Sequence, residues 1–324
     1  MELKNKFKRI ISKPLFSQTL KANWLLWLVM TIGSAGIFFI VNVVVFSKDI
    51  FVNIDMNKVN VYVVDEGLSW IQILGLLEQM GFSLSRIEVM SRIDLNSVMN
   101  DLVYKLAGVL LPMIFVMITA NSLIANQVST GSMAYVLSTP TSRKTVVRTH
   151  FLFLFLAVTA MYFVITASAL GSEAIAGIIR ISRGGSSNML PLRTFLYCFS
   201  SYCAMIALMG ICFGASAFFN KAQYSITIGG GACVVCFLCC IMGLFGNKVF
   251  VSVGIGVEAM NIFNFLTLFT LIDTESISNF CKAVAGLDAE ISYSWIWECG
   301  ILFAVGAVFA TIGGIRFTKK DLPL

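Results

Sequence analysis

The sequence predicts an all-α polytopic membrane protein, and two observations support that fold class. Hydrophobic residues make up 58% of the 324 residues and charged residues only 12%, with a mean hydropathy of +0.87. An ordinary soluble domain is about 25% charged. The apolar residues also occur in long blocks, and a helix needs about 20 apolar residues to cross a bilayer core of about 30 Å. The formal charge of +6 is small for this length and does not indicate nucleic-acid binding.

Six apolar runs are long enough to span a membrane. They cover residues 24–46, 102–125, 151–170, 195–219, 224–245 and 295–315. Each must be a helix, because a bilayer offers the backbone no hydrogen-bond partners. The first run is longer than a signal-peptide core and no small-residue cleavage site follows it, so we interpret it as a retained span. Gly33, Gly36 and Gly229–Gly231 would let helices approach closely, within one copy or between two.

Residues 249–272 form an ambiguous seventh run. They are apolar, but Glu258, Asn261 and Asn264 interrupt them. We expect shallow or re-entrant outer helices within 247–294 rather than a full span. With six spans, both termini lie on one side of the membrane. The short segments on that side hold thirteen of the 23 Lys and Arg residues, so the positive-inside rule makes it cytoplasmic.

The expected layout is therefore one transmembrane domain over residues 1–324, multi-pass in the cell membrane, with both termini cytoplasmic. Residues 1–22 are expected to form an interfacial helix, with Phe7, Ile10 and Ile11 on one face and Arg9 among the surrounding basic residues. A frayed basic tail is the alternative. Residues 47–101 are an outer loop that contains a short strand-like run, VNVYVVDEG.

No motif of an enzyme or an ATPase is present. The spans hold no HExxH, no GxSxG and no paired carboxylates, and the chain has no GxxxxGK[ST] phosphate loop. We therefore expect no catalytic, cofactor or metal site in this chain. Most of the nine cysteines are expected to pack, and His150 to lie at a membrane boundary. Lys105, Glu173 and Glu298 fall near outer ends, which disfavours an ion-coupled carrier but leaves it open.

The segment 126–146 interrupts the apolar pattern between the second and third spans. NQVSTGSMAYVLSTP can form a short surface helix that stops near Pro140, because the residue before a proline disfavours helical geometry. A helix joined to two spans can transmit motion from a docked partner. A simple basic cytoplasmic loop is the alternative, since Arg143, Lys144 and Arg148 satisfy the positive-inside rule by themselves.

This segment resembles the inner loop of ABC-2 type transporter permeases. The matching positions are Gly131, Ser132, Leu137, Pro140, Ser142 and Arg143. The C-terminus GIRFTKKDLPL is similar to the ending of the same family, at Phe317, Lys319, Lys320, Asp321 and Leu322. Ser129 and Ala134 stand where the family often has Glu, which puts in doubt a carboxylate contact with an ATPase.

The resemblance implies the membrane subunit of an ABC exporter, without an ATPase site of its own. ATP and Mg would bind two copies of a separate ABC ATPase subunit, and a second permease copy or a homologous permease would complete the pathway in the lipid bilayer. The cargo would be an amphipathic or hydrophobic peptide, drug or lipid. The implied coupling positions are Gln127, Gly131, Met133, Tyr135, Leu137, Pro140 and Arg143. An ion-coupled secondary transporter or a channel-like membrane protein remains the alternative.

Overall fold

The computed structural model describes residues 11–46, 50–55, 58–63, 102–138, 141–182, 190–246, 257–286 and 291–320. Within these ranges the chain is mainly helical. Its α-helices are α1 (Lys13–Phe46), α2 (Gly108–Leu123), α3 (Ala125–Ser129), α4 (Ser132–Leu137), α5 (Arg143–Ser182), α6 (Pro191–Phe218), α7 (Ala222–Ser225), α8 (Gly231–Phe245), α9 (Thr274–Val284) and α10 (Ser294–Lys319). π-helical segments, Leu102–Ala107 and Ile226–Gly230, lead into α2 and α8.

Six helical stretches of the described residues are long and apolar enough to cross a membrane. They are Lys13–Ile40, Val103–Ser129, Arg143–Ile179, Pro191–Phe218, Ala222–Phe245 and Ser294–Lys319. The prediction of a mainly helical chain with six helices long and apolar enough to cross a membrane is therefore confirmed. Most of the helices are longer than the apolar runs, because helical geometry continues into polar residues beyond the hydrocarbon-length core.

A β-hairpin follows the first span. Strands β1 (Ile50–Asp55) and β2 (Lys58–Val63) pair antiparallel, with Ile50 opposite Val63 and Asp55 opposite Lys58. β2 coincides with the start of the strand-like run, so the part of the chain that the structure describes is helical with one small hairpin. The rest of the predicted outer loop, residues 47–49, 56–57 and 64–101, lies outside the described residues.

Helix α6 forms the centre of the bundle, and α2, α5 and α10 pack against it. Its closest neighbour is α10. A Cβ added at Gly210 would lie 2.1 Å from the carbonyl oxygen of Gly306, and one added at Gly313 would lie 2.6 Å from the Cα of Gly214. The two backbones are therefore in direct contact, which only glycine permits at these positions.

The N-terminal region differs from the predicted separate interfacial helix. Helix α1 begins at Lys13 and continues without a break into the first span, and Leu15 and Thr19 near its start are buried. The backbone N–H of Ser12 donates to Thr149 Oγ1 of α5 at 3.1 Å. These contacts attach the described part of the predicted helix to the bundle, so residues 13–22 are the first turns of the spanning helix.

The run 249–272 does not form a seventh spanning helix in its described part. It forms 3-10 helices over Glu258–Leu266 and Leu268–Leu271. Asn264 Nδ2 donates to the Gly243 carbonyl of α8 at 3.3 Å, and Thr267 Oγ1 donates to the Cys236 carbonyl at 2.8 Å. Gly243 and Cys236 are seven positions apart on α8, which is about 10 Å along the helix. The segment thus descends along α8 before the chain turns to α9.

Candidate coupling segment

The candidate site is the segment between α2 and α5, and a backbone break at Ile124 begins it. Ile124 has φ −127° and ψ −64°, which ends α2 and redirects the chain into α3. The next N–H, that of Ala125, donates to the buried Ser216 Oγ of α6 at 3.1 Å. A free backbone donor at the break is thereby satisfied, and the segment is fixed to the central helix.

Hydroxyl groups and one glycine shape the turn between α3 and α4. Thr130 Oγ1 donates to the Asn126 carbonyl at 2.8 Å, and Ser132 Oγ donates to the Gln127 carbonyl at 3.3 Å. The Asn126 carbonyl also accepts from the Thr130 backbone N–H at 3.0 Å, and the Ser132 hydroxyl supplies a side-chain donor to a carbonyl in the last turn of α3. Gly131 adopts φ +73°, a left-handed conformation that costs other residues about 1–2 kcal/mol. The polar sequence STGS therefore terminates one helix and starts the next.

The predicted coupling residues on α4 lie in different environments. Tyr135 is 80% exposed, whereas Met133 is 2% exposed and belongs to the hydrophobic core. Leu137 is half-buried and packs against that core. Met133 is therefore not available to a partner, contrary to the expected coupling role, because it attaches α4 to this chain's own bundle. Tyr135 is the described apolar residue of α4 that projects outward.

The other predicted positions differ in their surroundings, and some lie outside the described residues. Gln127 is half-buried, and its side-chain carbonyl oxygen is buried without a partner among the described residues. Arg143 Nη1 donates to the backbone carbonyl of Lys320 at 2.7 Å. Pro140, Phe7, Arg9 and Ile10 lie outside the described residues. Ile11 is half-buried and precedes α1 rather than forming part of a helix.

Contacts with the C-terminus tie the segment to the last span. Beyond the Arg143 bond, Lys320 Nζ donates to the Phe218 carbonyl at the end of α6 at 2.8 Å, and the Arg316 guanidinium lies 5.3 Å from the Phe218 ring centre. Partial burial of the Lys320 ammonium, reinforced by the nearby positive charge of Arg316, lowers its pKa to about 8. The starts of α1 and α5 and the ends of α6 and α10 thus lie at one end of the bundle.

We call this the basic end. Its described segments are 11–23, 126–138, 141–150, 219–224 and 315–320, and they contain no Asp or Glu. They hold nine Lys or Arg residues, namely Lys13, Lys21, Arg143, Lys144, Arg148, Lys221, Arg316, Lys319 and Lys320. The described carboxylates, such as Glu173, Glu258, Asp273 and Glu298, lie in other segments. This asymmetry along the bundle is the pattern that positive-inside sorting produces.

The described part of the chain offers no cluster of metal-ligating side chains. No three His, Cys, Asp or Glu side chains there lie close enough together to hold a metal ion. All nine cysteines are free thiols, and most are buried, as expected of packing groups. His150 lies near the start of α5, at the basic end; its side chain is fully buried, and neither ring nitrogen has a partner among the described residues.

Sequence reasoning missed two anchors of this site. Ser216, in an apolar span 91 residues away, fixes Ala125, and Phe218 accepts from Lys320. Ser216 and Phe218 both lie near the end of α6. Serine and phenylalanine also occur elsewhere in that helix, so the sequence offers no signal that singles these two out. Comparisons of the chain with protein-family models, with curated proteins and with solved structures found no match.

Proposed function

We propose that this chain is the membrane permease subunit of an ATP-driven ABC exporter. One observation supports the proposal most: α4 presents the exposed ring of Tyr135 at the basic end while its buried face is held by the bundle. A surface helix that is rigidly joined to the membrane helices is what a motor protein needs in order to move them. Because residues 131–143 and 317–322 resemble ABC-2 permeases, we propose that the motor is an ABC ATPase.

Force applied at α4 has two routes into the bundle. One passes through the Ala125–Ser216 hydrogen bond to α6, and the other through the Arg143–Lys320 hydrogen bond to α10. A partner that shifts α3 and α4 would therefore act on the central helix and the last span together. ATP and Mg would bind the partner ATPase, in two copies, and the work of hydrolysis would reach this chain through the two contacts.

The pathway requires a second permease copy or a homologous permease. Helix α6 is buried inside a single copy, whereas α1 and α8 expose much of their apolar surface. Part of that surface would face lipid and part the second copy. An amphipathic or hydrophobic cargo, such as a peptide, a drug or a lipid, fits walls of this chemistry.

An ion-coupled carrier is the rival function, and His150 is the observation that favours it. An unpartnered ionisable side chain buried in a span is a common feature of proton pathways. Two features disfavour it as a relay. His150 is the eighth residue of α5, at the basic end, and Glu173 lies 23 residues further along the same helix, about 34 Å away.

Reconstitution separates the two functions. The purified chain should be placed in liposomes alone and together with an ABC ATPase encoded beside it. We expect vanadate-sensitive ATP hydrolysis and export of a labelled amphipathic peptide only with both proteins present. Uptake by the lone chain driven by a pH or sodium gradient, and lost in His150→Ala, would establish the carrier instead.

A further inference from the structure

A groove with a volume of about 470 Å³ opens between α5 and α10 at the basic end. One wall is a stripe on α5, at Lys144, Val147, Arg148 and Phe151, which recurs every three or four residues. The facing stripe on α10 runs from Ala307 to Thr318. Phe213 of α6, which is fully buried, completes the lining between them.

The groove has the length of one lipid chain. Ala307 and Thr318 are eleven residues apart on α10, which is about 16 Å along the helix. One leaflet of a bilayer core of about 30 Å is about 15 Å deep. Gly314 helps to keep the space open, because a Cβ there would come within 3.3 Å of Val147 Cγ1.

The chemistry of the groove changes along its length. The deep part is lined by apolar groups such as Phe151, Phe213 and Ala310. The mouth carries Lys144 and Arg148, whose side chains are exposed and make no ion pair within the described residues. Because the described segments of the basic end contain no Asp or Glu, the two cations lack a counter-charge there.

We propose that this groove binds an anionic phospholipid of the surrounding bilayer. One acyl chain lies between α5 and α10, and the headgroup phosphate accepts hydrogen bonds from Lys144 and Arg148. Arginine and lysine are the usual phosphate ligands, and basic pockets between spanning helices bind anionic headgroups. The site requires only that the chain lies in a membrane, so it does not depend on the proposed energy source. The bound lipid would join α5 to α10 next to Arg143.

Native mass spectrometry of the full chain in neutral detergent tests the site. Phosphatidylglycerol should bind about tenfold more tightly than phosphatidylcholine with the same acyl chains. The double variant Lys144→Gln/Arg148→Gln should lose that preference. Lys319→Gln removes an exposed charge at the same end, outside the groove, and should retain it. Thr311→Trp adds a large side chain to the exposed wall and so narrows the groove without altering the two cations, and it should weaken phosphatidylglycerol binding.

Five results would overturn the proposal, and four of them come from comparing the lipids and the variants. These are equal affinity for the two lipids, retention of the preference in the double variant, an equal loss in Lys319→Gln, and undiminished binding to Thr311→Trp. The last would show attraction to the surface charge without use of the groove. Displacement of the lipid by millimolar inorganic phosphate would show that the site takes a free anion and would equally contradict a lipid site.

Discussion

Tyr135 and Met133 lie two residues apart on α4, but only Tyr135 is available to a partner. Under the proposed function, Tyr135→Asp should reduce ATP-driven transport at least about tenfold, because a charge would enter an apolar contact. The stability of the chain itself should change by less than about 0.5 kcal/mol, as is usual for an exposed position. Transport assays of the reconstituted complex and thermal unfolding of the chain alone measure the two effects.

Met133→Ala is the matched comparison, and we expect it to affect the stability of the chain more than the coupling to ATP. Removing this buried side chain should lower the free energy of unfolding by about 2–5 kcal/mol. A Tyr135→Asp complex that assembles and transports normally would contradict a coupling role for α4. So would a Met133→Ala chain of unchanged stability, because α4 would then not be anchored as described.

Lys320 provides a test that depends on pH. Its pKa of about 8 lies below the value of about 10.4 for a lysine in an unfolded chain. Folding therefore favours the neutral amine, so protonation of Lys320 opposes folding below pH 8, and this opposition is relieved as the pH rises from about 8 to about 10. The rate of acetylation of this amine should rise around pH 8. A peptide of residues 316–324 serves as the reference, and an identical pH profile in the peptide would contradict the burial.

The contact between α6 and α10 makes a prediction at the level of the element. Gly306→Ala places a methyl group 2.5 Å from the Ile206 carbonyl oxygen, so the helices must separate. We expect a loss of about 1–3 kcal/mol of stability, the usual cost of overpacking. Gly300→Ala on the same helix meets nothing within 4 Å and should be tolerated. Thermal unfolding of both purified variants checks the difference, and equal midpoints would contradict the close approach.

The sequence predicted where the helices are better than it predicted how they pack. Apolar runs of about 20 residues locate a span regardless of its neighbours, but a helix that is apolar on all sides does not reveal which face is buried. Of the glycines expected to allow close approach, Gly33 and Gly229 do so, since an added Cβ would come within 3.1 Å of Leu111 and 2.9 Å of Ala215, but Gly36 and Gly231 meet no atom within 4 Å. The backbone contact between α6 and α10 is formed instead by glycines such as Gly210 and Gly306. Choosing between these glycines requires knowing which helices are neighbours.

For the candidate site, too, the sequence predicted the location of the segment but not its packing. The polar break at 126–146 could be located from composition, and the turn at Gly131 from residue type. The burial of Met133 and the anchoring of Ala125 could not be predicted, because burial depends on the tertiary packing and the partner of Ala125, Ser216, lies 91 residues later in the chain. Likewise, the sequence identified basic residues near the C-terminus but not that the carbonyl of Lys320 accepts from Arg143.

At the scale of the whole molecule, chemical labelling tests the orientation. In a variant without native cysteines, Ala285→Cys should react with an impermeant thiol reagent in intact cells. Lys319→Cys should react only after permeabilisation, because the basic end is expected to be cytoplasmic. Both positions are exposed, so burial does not confound the result. Ser276 would be a poor reporter, since it is 5% exposed and hydrogen-bonded to Ser292.

Tyr135→Cys is the internal control for this test. It should behave as Lys319→Cys does, because both lie at the basic end. Reaction of Lys319→Cys in intact cells would reverse the orientation and place α4 out of reach of any cytoplasmic ATPase.

The glycine contact between α6 and α10 limits how this molecule can change shape. Where backbone lies on backbone, no side-chain rotamer is available to absorb sliding, and a shift along the axis would drive Cα atoms into carbonyl oxygens. The two helices therefore form a single rigid body. Any change of shape must keep α6 and α10 together and occur between this pair and the helices packed against it, α2 and α5, rather than through its centre.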